Sequence, residues 1–306
     1  MTINNKPLVS IIIINYNYGQ YVGQAIKSAL LQTYHPLEII VVDDGSTDNS
    51  IEVIKQYPVN LIRQENKGIS SAVDTGVRAC KGIYYVILSA DDLLHPLYVE
   101  RTVEILESNP EISFVYTQVV IFGAQSGLFL SHPYNVKALL KSNYITGTAL
   151  IRRKVYEAVG GYDPELPYAE DWDHWLTLAE KGYYGILLPE PLFYWRRHFQ
   201  GSRNTQSRKT IKLTLKKIRQ KHRLLYLKHF PFFPFDFFFI NFFERVFIKY
   251  FRMVDSILFS LIGDNIVSNR LSLLFGKIIG RRGFFCKALP THLQKTLKNF
   301  IEDVNK

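Results

Sequence analysis

A chain of 306 residues, 47% hydrophobic and 14% aromatic, is long enough for one full domain plus an extension or for two domains, and its composition excludes intrinsic disorder. Its two cysteines, Cys80 and Cys286, lie far apart without metal-ligand spacing, which excludes a disulfide framework and a cysteine zinc site and points to a reducing compartment. The net charge of +10 divides unevenly: residues 1–195 carry −7 and residues 196–306 carry +17, so the C-terminal third wants an anionic partner or surface.

Nothing at the N-terminus has the pattern of a secretion signal, and Leu8 to Ile14 is too short to span a membrane. Val9 to Asn15 reads instead as a first strand. A helix follows, with Val22, Ala25, Ile26, Ala29 and Leu30 on one face. Leu37 to Val42 is a second strand, ending in Asp43-Asp44-Gly45-Ser46. A helix from Asp48 to about Tyr57, a short strand from Asn60 to Gln64 and a helix from Ile69 to about Lys81 come next. The run IYYVILSADD then forms an apolar strand that stops on Asp91 and Asp92. This alternation predicts a mostly parallel, nucleotide-binding α/β sheet whose ligand crevice lies at the carboxyl ends of its strands. Adjacent acids at such an end suit a hard divalent cation that neutralises a phosphate or diphosphate; the alternative is a helix cap at Asp92, because Val99, Val103 and Leu106 follow at helical spacing.

After a helix to about Asn109, Ile112 to Phe122 is strand-like and Gly123 to Pro133 is a loop. Ile145 to Arg152 reads as a strand and Lys154 to Val159 as a short helix closed by Gly160-Gly161. In PYAEDWDHWLTLAEKG, Trp172, Trp175, Leu176 and Ala179 share a face, which puts Glu170 and Asp171 at a helix start. The helix dipole favours an ionised carboxylate there, ready to accept a proton; the same position serves a plain cap. Tyr184 to Leu188 and Leu192 to Arg196 read as two short strands leading into Arg196-Arg197-His198.

From about Ser207 helices dominate. Residues 207–229 are rich in Lys and Arg, Phe230 to Phe243 is dense in Phe and Pro, and Tyr250, Phe251, Val254, Leu258 and Leu261 form an apolar stripe opposite Arg245, Lys249 and Arg252. Uncharged stretches here are shorter than a spanning helix needs, so interfacial association with anionic membrane is expected, or packing of the Phe residues on the catalytic domain or another subunit. A Phe-rich stripe suits lipid better than a duplex groove, which argues against nucleic acid. The expected organisation is a catalytic domain over residues 1–205 and a basic helical extension over 206–306.

The runs VSIIIINYN, LLQTY, LEIIVVDDGSTDNS, ENKGISSAVDTGV, the strand ending SADD, GGYDPELPYAEDWDHWLTLAEKG and YWRRH, taken in this order from about Leu8 to His198, resemble glycosyltransferase family 2. The resemblance implies a GT-A fold, a single nucleotide-sugar-binding α/β domain. It also implies inverting transfer of a sugar from a nucleotide diphosphate with Mn2+ or Mg2+. Asp44 is then the base-recognising residue, since a carboxylate can accept a uracil or thymine N3–H. Tyr16 could stack on the base, Ile14 and Asn15 supply backbone groups, and Ser89 and Ala90 belong to the nucleotide site. Asp91 takes the metal, His198 the metal or diphosphate, and Asp171 of the Glu170-Asp171 pair is the general base.

Two positions depart from the family pattern. Ser89 stands where the first acid of a D-x-D motif is usual, and Val73 stands where arginine is often found, a gap for Lys67 to fill. These departures keep a second reading open, a nucleotide-sugar-binding or scaffold protein that has lost activity. Nucleotidyl transfer would need a Gly-rich basic loop after the first strand, which Asn15-Tyr16-Asn17-Tyr18-Gly19 does not supply. The expected partners are a UDP- or dTDP-sugar donor, a glycan acceptor carried on a polyprenyl diphosphate, and an anionic membrane surface at the cytoplasmic face of the cell membrane. A second copy of the chain could associate through the extension.

Overall fold

The computed structural model describes residues 6–198, 207–230 and 286–305. They belong to two compact units, one of residues 1–221 and 285–306 and one of residues 222–284. The second contributes a single described element, a short helix, Arg223–His229. The Phe-rich run beyond Phe230 and the stripe from Tyr250 to Leu261, with Arg245, Lys249 and Arg252, lie outside the described residues.

The first unit is built on a mixed sheet. Strands β1 (Val9–Asn15), β2 (Leu37–Asp43), β3 (Asn60–Arg63) and β4 (Tyr84–Ser89) run parallel in the order β4-β1-β2-β3. Every residue of β1 is buried, because helices cover both faces of the sheet. Ile11 and Ile13 join a cluster with Val22, Ala25 and Ile26 of α1 (Gly19–Leu30). Ile12 points the other way, against α3 (Ile69–Ala79), where Gly76 comes so close that a Cβ on it would lie 2.3 Å from the Ile12 Cγ2. Helix α2 (Ser50–Ile54) joins β2 to β3.

Beyond β4 come β5 (Leu93–Leu94), α4 (Tyr98–Ser108) and β6 (Phe114–Gly123). The Gly123 to Pro133 segment, expected to be a loop, holds a short strand, β7 (Gly127–Phe129), which pairs back on β6 and is followed by α5 (Val136–Lys141). Strand β8 (Leu150–Arg152) lies antiparallel between β4 and β6 and leads into α6 (Arg153–Val159). It is shorter than expected, because the residues before it turn away to meet α7 (Glu170–Glu180): the Trp175 indole N–H donates to the Ile145 carbonyl at 3.2 Å.

The two short strands expected after Tyr184 are one, β9 (Gly185–Arg197), parallel to β6 along its length. Pairing with β6 overrides the break that Pro189 and Pro191 suggest, and a register shift at Thr117 to Val119 absorbs the prolines, which have no N–H for the ladder.

Two segments assigned by sequence to the extension belong to the same compact unit as this sheet. Helix α8 (Arg208–Lys221) is fastened by Lys221, whose ammonium reaches Asp163 at 2.9 Å and Asp173 of α7 at 2.7 Å. Strand β10 (Cys286–Lys287) pairs antiparallel with β7. The helix after it, Thr291–Asn305, sets Leu297, Phe300 and Val304 on Leu93, Val120, Phe122 and Tyr194. Among the described residues no helix is long and apolar enough to cross a membrane.

Candidate active site at the carboxyl ends of the parallel strands

The parallel strands β1, β2 and β4 end side by side, and the backbone continues to tie them there. The Asp44 N–H donates to the Asn15 carbonyl at 2.8 Å and the Ala90 N–H to the Ile14 carbonyl at 3.0 Å. Ile14, Asn15, Asp44, Ser89 and Ala90 therefore form one edge, as a nucleotide site at strand termini requires. Tyr16 stands half-buried just past β1.

The two members of the Asp43-Asp44 pair have separate tasks. Asp43 closes the Asp-Gly-Ser turn: it accepts from the Asn15 amide at 2.8 Å, the Ser46 N–H at 3.0 Å and the Ser46 hydroxyl at 2.5 Å. Asp44, 2% exposed, is held by Gln64 Nε2 at 2.7 Å and by the backbone N–H groups of Lys67 and Gly68, both at 2.9 Å. Lys67 thus meets Asp44 through its amide, and its side chain is exposed. Val73 is buried in the core face of α3, 1% exposed. Asn15 Oδ1 is buried without a hydrogen-bond partner among the described residues, an acceptor left over at this edge.

At the end of β4, Asp91 and Asp92 also diverge. Helix α4 begins at Tyr98, so Asp92 caps no helix. It is buried instead, 5% exposed, and accepts the Arg196 N–H at 2.8 Å, which ties the end of β9 to the end of β4. Burial, and then the neighbouring Asp91 carboxylate, push the Asp92 carboxyl well above the usual range. Asp91 faces His198, with Oδ2 and Nε2 2.8 Å apart. The imidazole stacks on Tyr18, centroids 5.9 Å apart and planes 20° off parallel, and tilts against Tyr21 at 5.2 Å.

These two donors fit a divalent cation in kind: a carboxylate oxygen and an imidazole nitrogen meet 2.8 Å apart, each side chain largely covered. Among the described residues no cluster of three or more His, Cys, Asp or Glu forms, so an ion held by Asp91 and His198 would complete its shell with phosphate and water oxygens.

Arg196 braces this pair. Its Nε donates to the Asp91 carbonyl at 2.7 Å and a terminal nitrogen to Gln24 Oε1 at 2.5 Å, while the guanidinium lies between the rings of Tyr21 and Phe122, 4.6 Å and 4.4 Å from their centroids. Gln24 in turn donates to Asn305 at 2.7 Å.

Asp171 reaches the same sheet edge by another route. Because β8 runs antiparallel to β4, the residues preceding it lie towards the carboxyl end of β4, and there a Cβ on Gly147 would be 3.7 Å from both the Asp171 Cβ and the Tyr162 hydroxyl. Asp171 sits in the first turn of α7, behind Ala169 in a left-handed conformation, with Glu170 beside it. Its Oδ1 accepts the Trp172 N–H at 2.7 Å and its Oδ2 the Asn143 amide at 3.0 Å. The helix dipole favours an ionised acid there, but burial outweighs both donors and pushes the carboxyl up to about 6. The Tyr162 phenol is raised well above its ordinary value by burial and by Asp171, so it stays protonated.

The contacts of Gln64, Asn143 and Arg196 had no signal in the sequence beyond, for Arg196, its place beside His198. Each acts across a long stretch of chain, where local pattern carries no information.

The family model for glycosyl transferase family 2 matches residues 10–160. An uncharacterized glycosyltransferase of Haemophilus influenzae is 31% identical over 245 residues, 73% of this chain and 75% of that protein. The chondroitin synthase of Escherichia coli is 32% identical over 195 residues, 59% of this chain, and the chain spans only 28% of its length. Among solved structures, Staphylococcus aureus TarS 1-349 in complex with UDP-GlcNAc superposes with a TM-score of 0.56 at 15% identity, over 73% of each chain. Mannosyltransferase PcManGT from Pyrobaculum calidifontis, in complex with GDP-Man and Mn2+, gives 0.54 at 16% identity over 99% of this chain and 87% of that one. These likenesses agree with the mixed α/β sheet in carrying the GT-A fold, and on the similarity to the Haemophilus influenzae relative together with the family match, this chain belongs to glycosyltransferase family 2.

Proposed function

We propose that this chain is a metal-dependent inverting glycosyltransferase that moves a sugar from a UDP- or dTDP-sugar to a glycan acceptor. The observation that carries the reading is the meeting of Asp91 and His198, 107 residues apart in sequence, at the strand edge where Ile14, Asn15, Asp44 and Ser89 gather. Asp44 and Tyr16 would receive the base, with Ile14, Asn15, Lys67, Ser89 and Ala90 around the nucleoside. Asp91 and His198 would hold Mn2+ or Mg2+, which when bound neutralises the charge developing on the departing diphosphate. The complexes of TarS with UDP-GlcNAc and of PcManGT with GDP-Man and Mn2+ support a nucleotide-sugar donor and a divalent ion.

Asp171 is the base in this reading. Inversion needs one group that takes the proton of the acceptor hydroxyl as it attacks the anomeric carbon opposite the diphosphate. A carboxylate with a midpoint of about 6 is ionised at neutral pH and more basic than an ordinary one, which matches that task. Glu170, next to it at the start of α7, would face the acceptor. A lipid-linked acceptor at the inner face of the cell membrane suits the +17 carried by residues 196–306 and the Phe-rich sequence within them.

Incubating the protein with Mn2+ and a panel of UDP- and dTDP-sugars tests the reading. Slow hydrolysis of one donor is expected, abolished by chelation. Asp171→Asn is expected to lower it by about 100- to 10,000-fold with UDP binding little changed. Tight donor binding without turnover, even with acceptor present, would favour the scaffold reading that Ser89 and the buried Val73 keep open.

A further inference from the structure

Asn143 lies between α5 and β8, and both ends of its amide are engaged. Its Oδ1 accepts the Ile145 N–H at 3.3 Å, which commits the oxygen and turns the NH2 group towards Asp171 Oδ2 at 3.0 Å. The segment that carries it is fastened to α7 on either side: the Trp172 indole N–H donates to the Leu139 carbonyl at 2.7 Å and that of Trp175 to the Ile145 carbonyl at 3.2 Å. Both indoles are buried. With the Trp172 N–H on Oδ1, the carboxylate is gripped at each oxygen. Among the described residues Tyr162 from the preceding loop faces it, and Glu170 stands beside it in the first turn of its own helix.

We propose that Asn143 is a positioning residue of the transfer reaction, which fixes the plane of the Asp171 carboxylate and, by donating to it, favours the ionised form that can take a proton. The proposal rests on the reading of Asp171 as the base. A hydrogen bond to a charged acceptor in a covered site resists protonation, and its loss moves a carboxyl midpoint upward by about one pH unit.

The test uses the full chain labelled with 13C at its aspartate carboxyls, the Asp171 resonance being the one missing from Asp171→Asn. Its midpoint is expected to rise by about one pH unit in Asn143→Leu and further in Asn143→Asp, which sets a second carboxyl against the first. The acid limb of UDP-sugar hydrolysis is expected to move with it, while KM for the donor stays within about two-fold. The near-isosteric Asn143→Asp carries the test if Asn143→Leu does not fold. Midpoints unmoved, with Asp171→Asn inactive, overturn the role of Asn143 and leave the base in place. Full activity in Asp171→Asn overturns the base assignment itself.

Discussion

Two forces act on Asp171 in opposite directions, and their balance is measurable. The free N–H groups at the start of α7 favour the carboxylate, burial favours the acid, and burial prevails. A folded midpoint of about 6 lies above the unfolded value of about 4, so the stabilisation that this group gives is complete below pH 4 and is lost as pH rises through 6. Asp171→Asn should therefore be more stable than the parent at pH 8, on the order of 1 kcal/mol after allowance for solvent screening at a residue that is not fully buried, while the two should nearly coincide at pH 4. A gain of about 2–4 °C in calorimetric midpoint at pH 8 is expected, and a lower midpoint there would show that the donors, not burial, dominate. Asp44, Asp91, Asp171 and His198 stood out in the sequence because each belongs to a recognisable local run, and the fold brings Asp91 and His198 together. The division of labour within the acidic pairs was not, because Asp43 and Asp92 owe their roles to Asn15 and Arg196, partners that only the folded sheet brings near.

At the scale of elements, the parallel strands and their helices were legible from periodicity alone, since strands buried on both faces read as unbroken apolar runs. Strand β9 was not, because Pro189 and Pro191 speak locally for a break while β6 supplies a continuous partner. Helix α8 was expected from its sequence, but not what holds it. Lys221 spans from Asp163 to Asp173, and the Asp173 side chain is only 3% exposed, so removing the ammonium takes an ion-pair partner from a covered carboxylate. Lys217, by contrast, faces an open Glu165 at 3.8 Å. Lys221→Ala should cost about 1–3 kcal/mol in urea unfolding, and Lys217→Ala well under 1 kcal/mol. Equal effects would show that α8 is held by its apolar residues instead. Because Asp173 shares a helix with Asp171, the first variant should also lower donor hydrolysis.

For the whole molecule, the sign change in charge near residue 195 was plain in the sequence, and described residues on both sides of it share one compact unit. Residues 286–305 pack with the sheet, because β7 has a free edge for β10 and β5, β6 and β9 present an apolar face to Phe300 and its neighbours, and residues 207–221 belong to the same compact unit, tied by Lys221 to α7. Composition reports what a segment attracts, not where it docks. The membrane reading is tested on the intact chain by changing Arg245, Lys249 and Arg252 together to Gln. Each basic residue near an anionic surface contributes about 1 kcal/mol, so co-sedimentation with phosphatidylglycerol vesicles should weaken by roughly two orders of magnitude. Unchanged co-sedimentation would remove this stretch from the surface.

The hydrogen bond from Gln24 to Asn305 closes over 281 residues, and through Arg196 it continues to the backbone of Asp91. During synthesis the strands β1 to β4 can pair while the ribosome is still at work, because their partners are near in sequence. The brace behind Asp91 cannot close until Asn305, 281 residues after Gln24, has been made. A nascent chain would thus form the strand edge early and seat the Asp91 backbone only after Asn305 has been made, so the order of translation itself separates the two events.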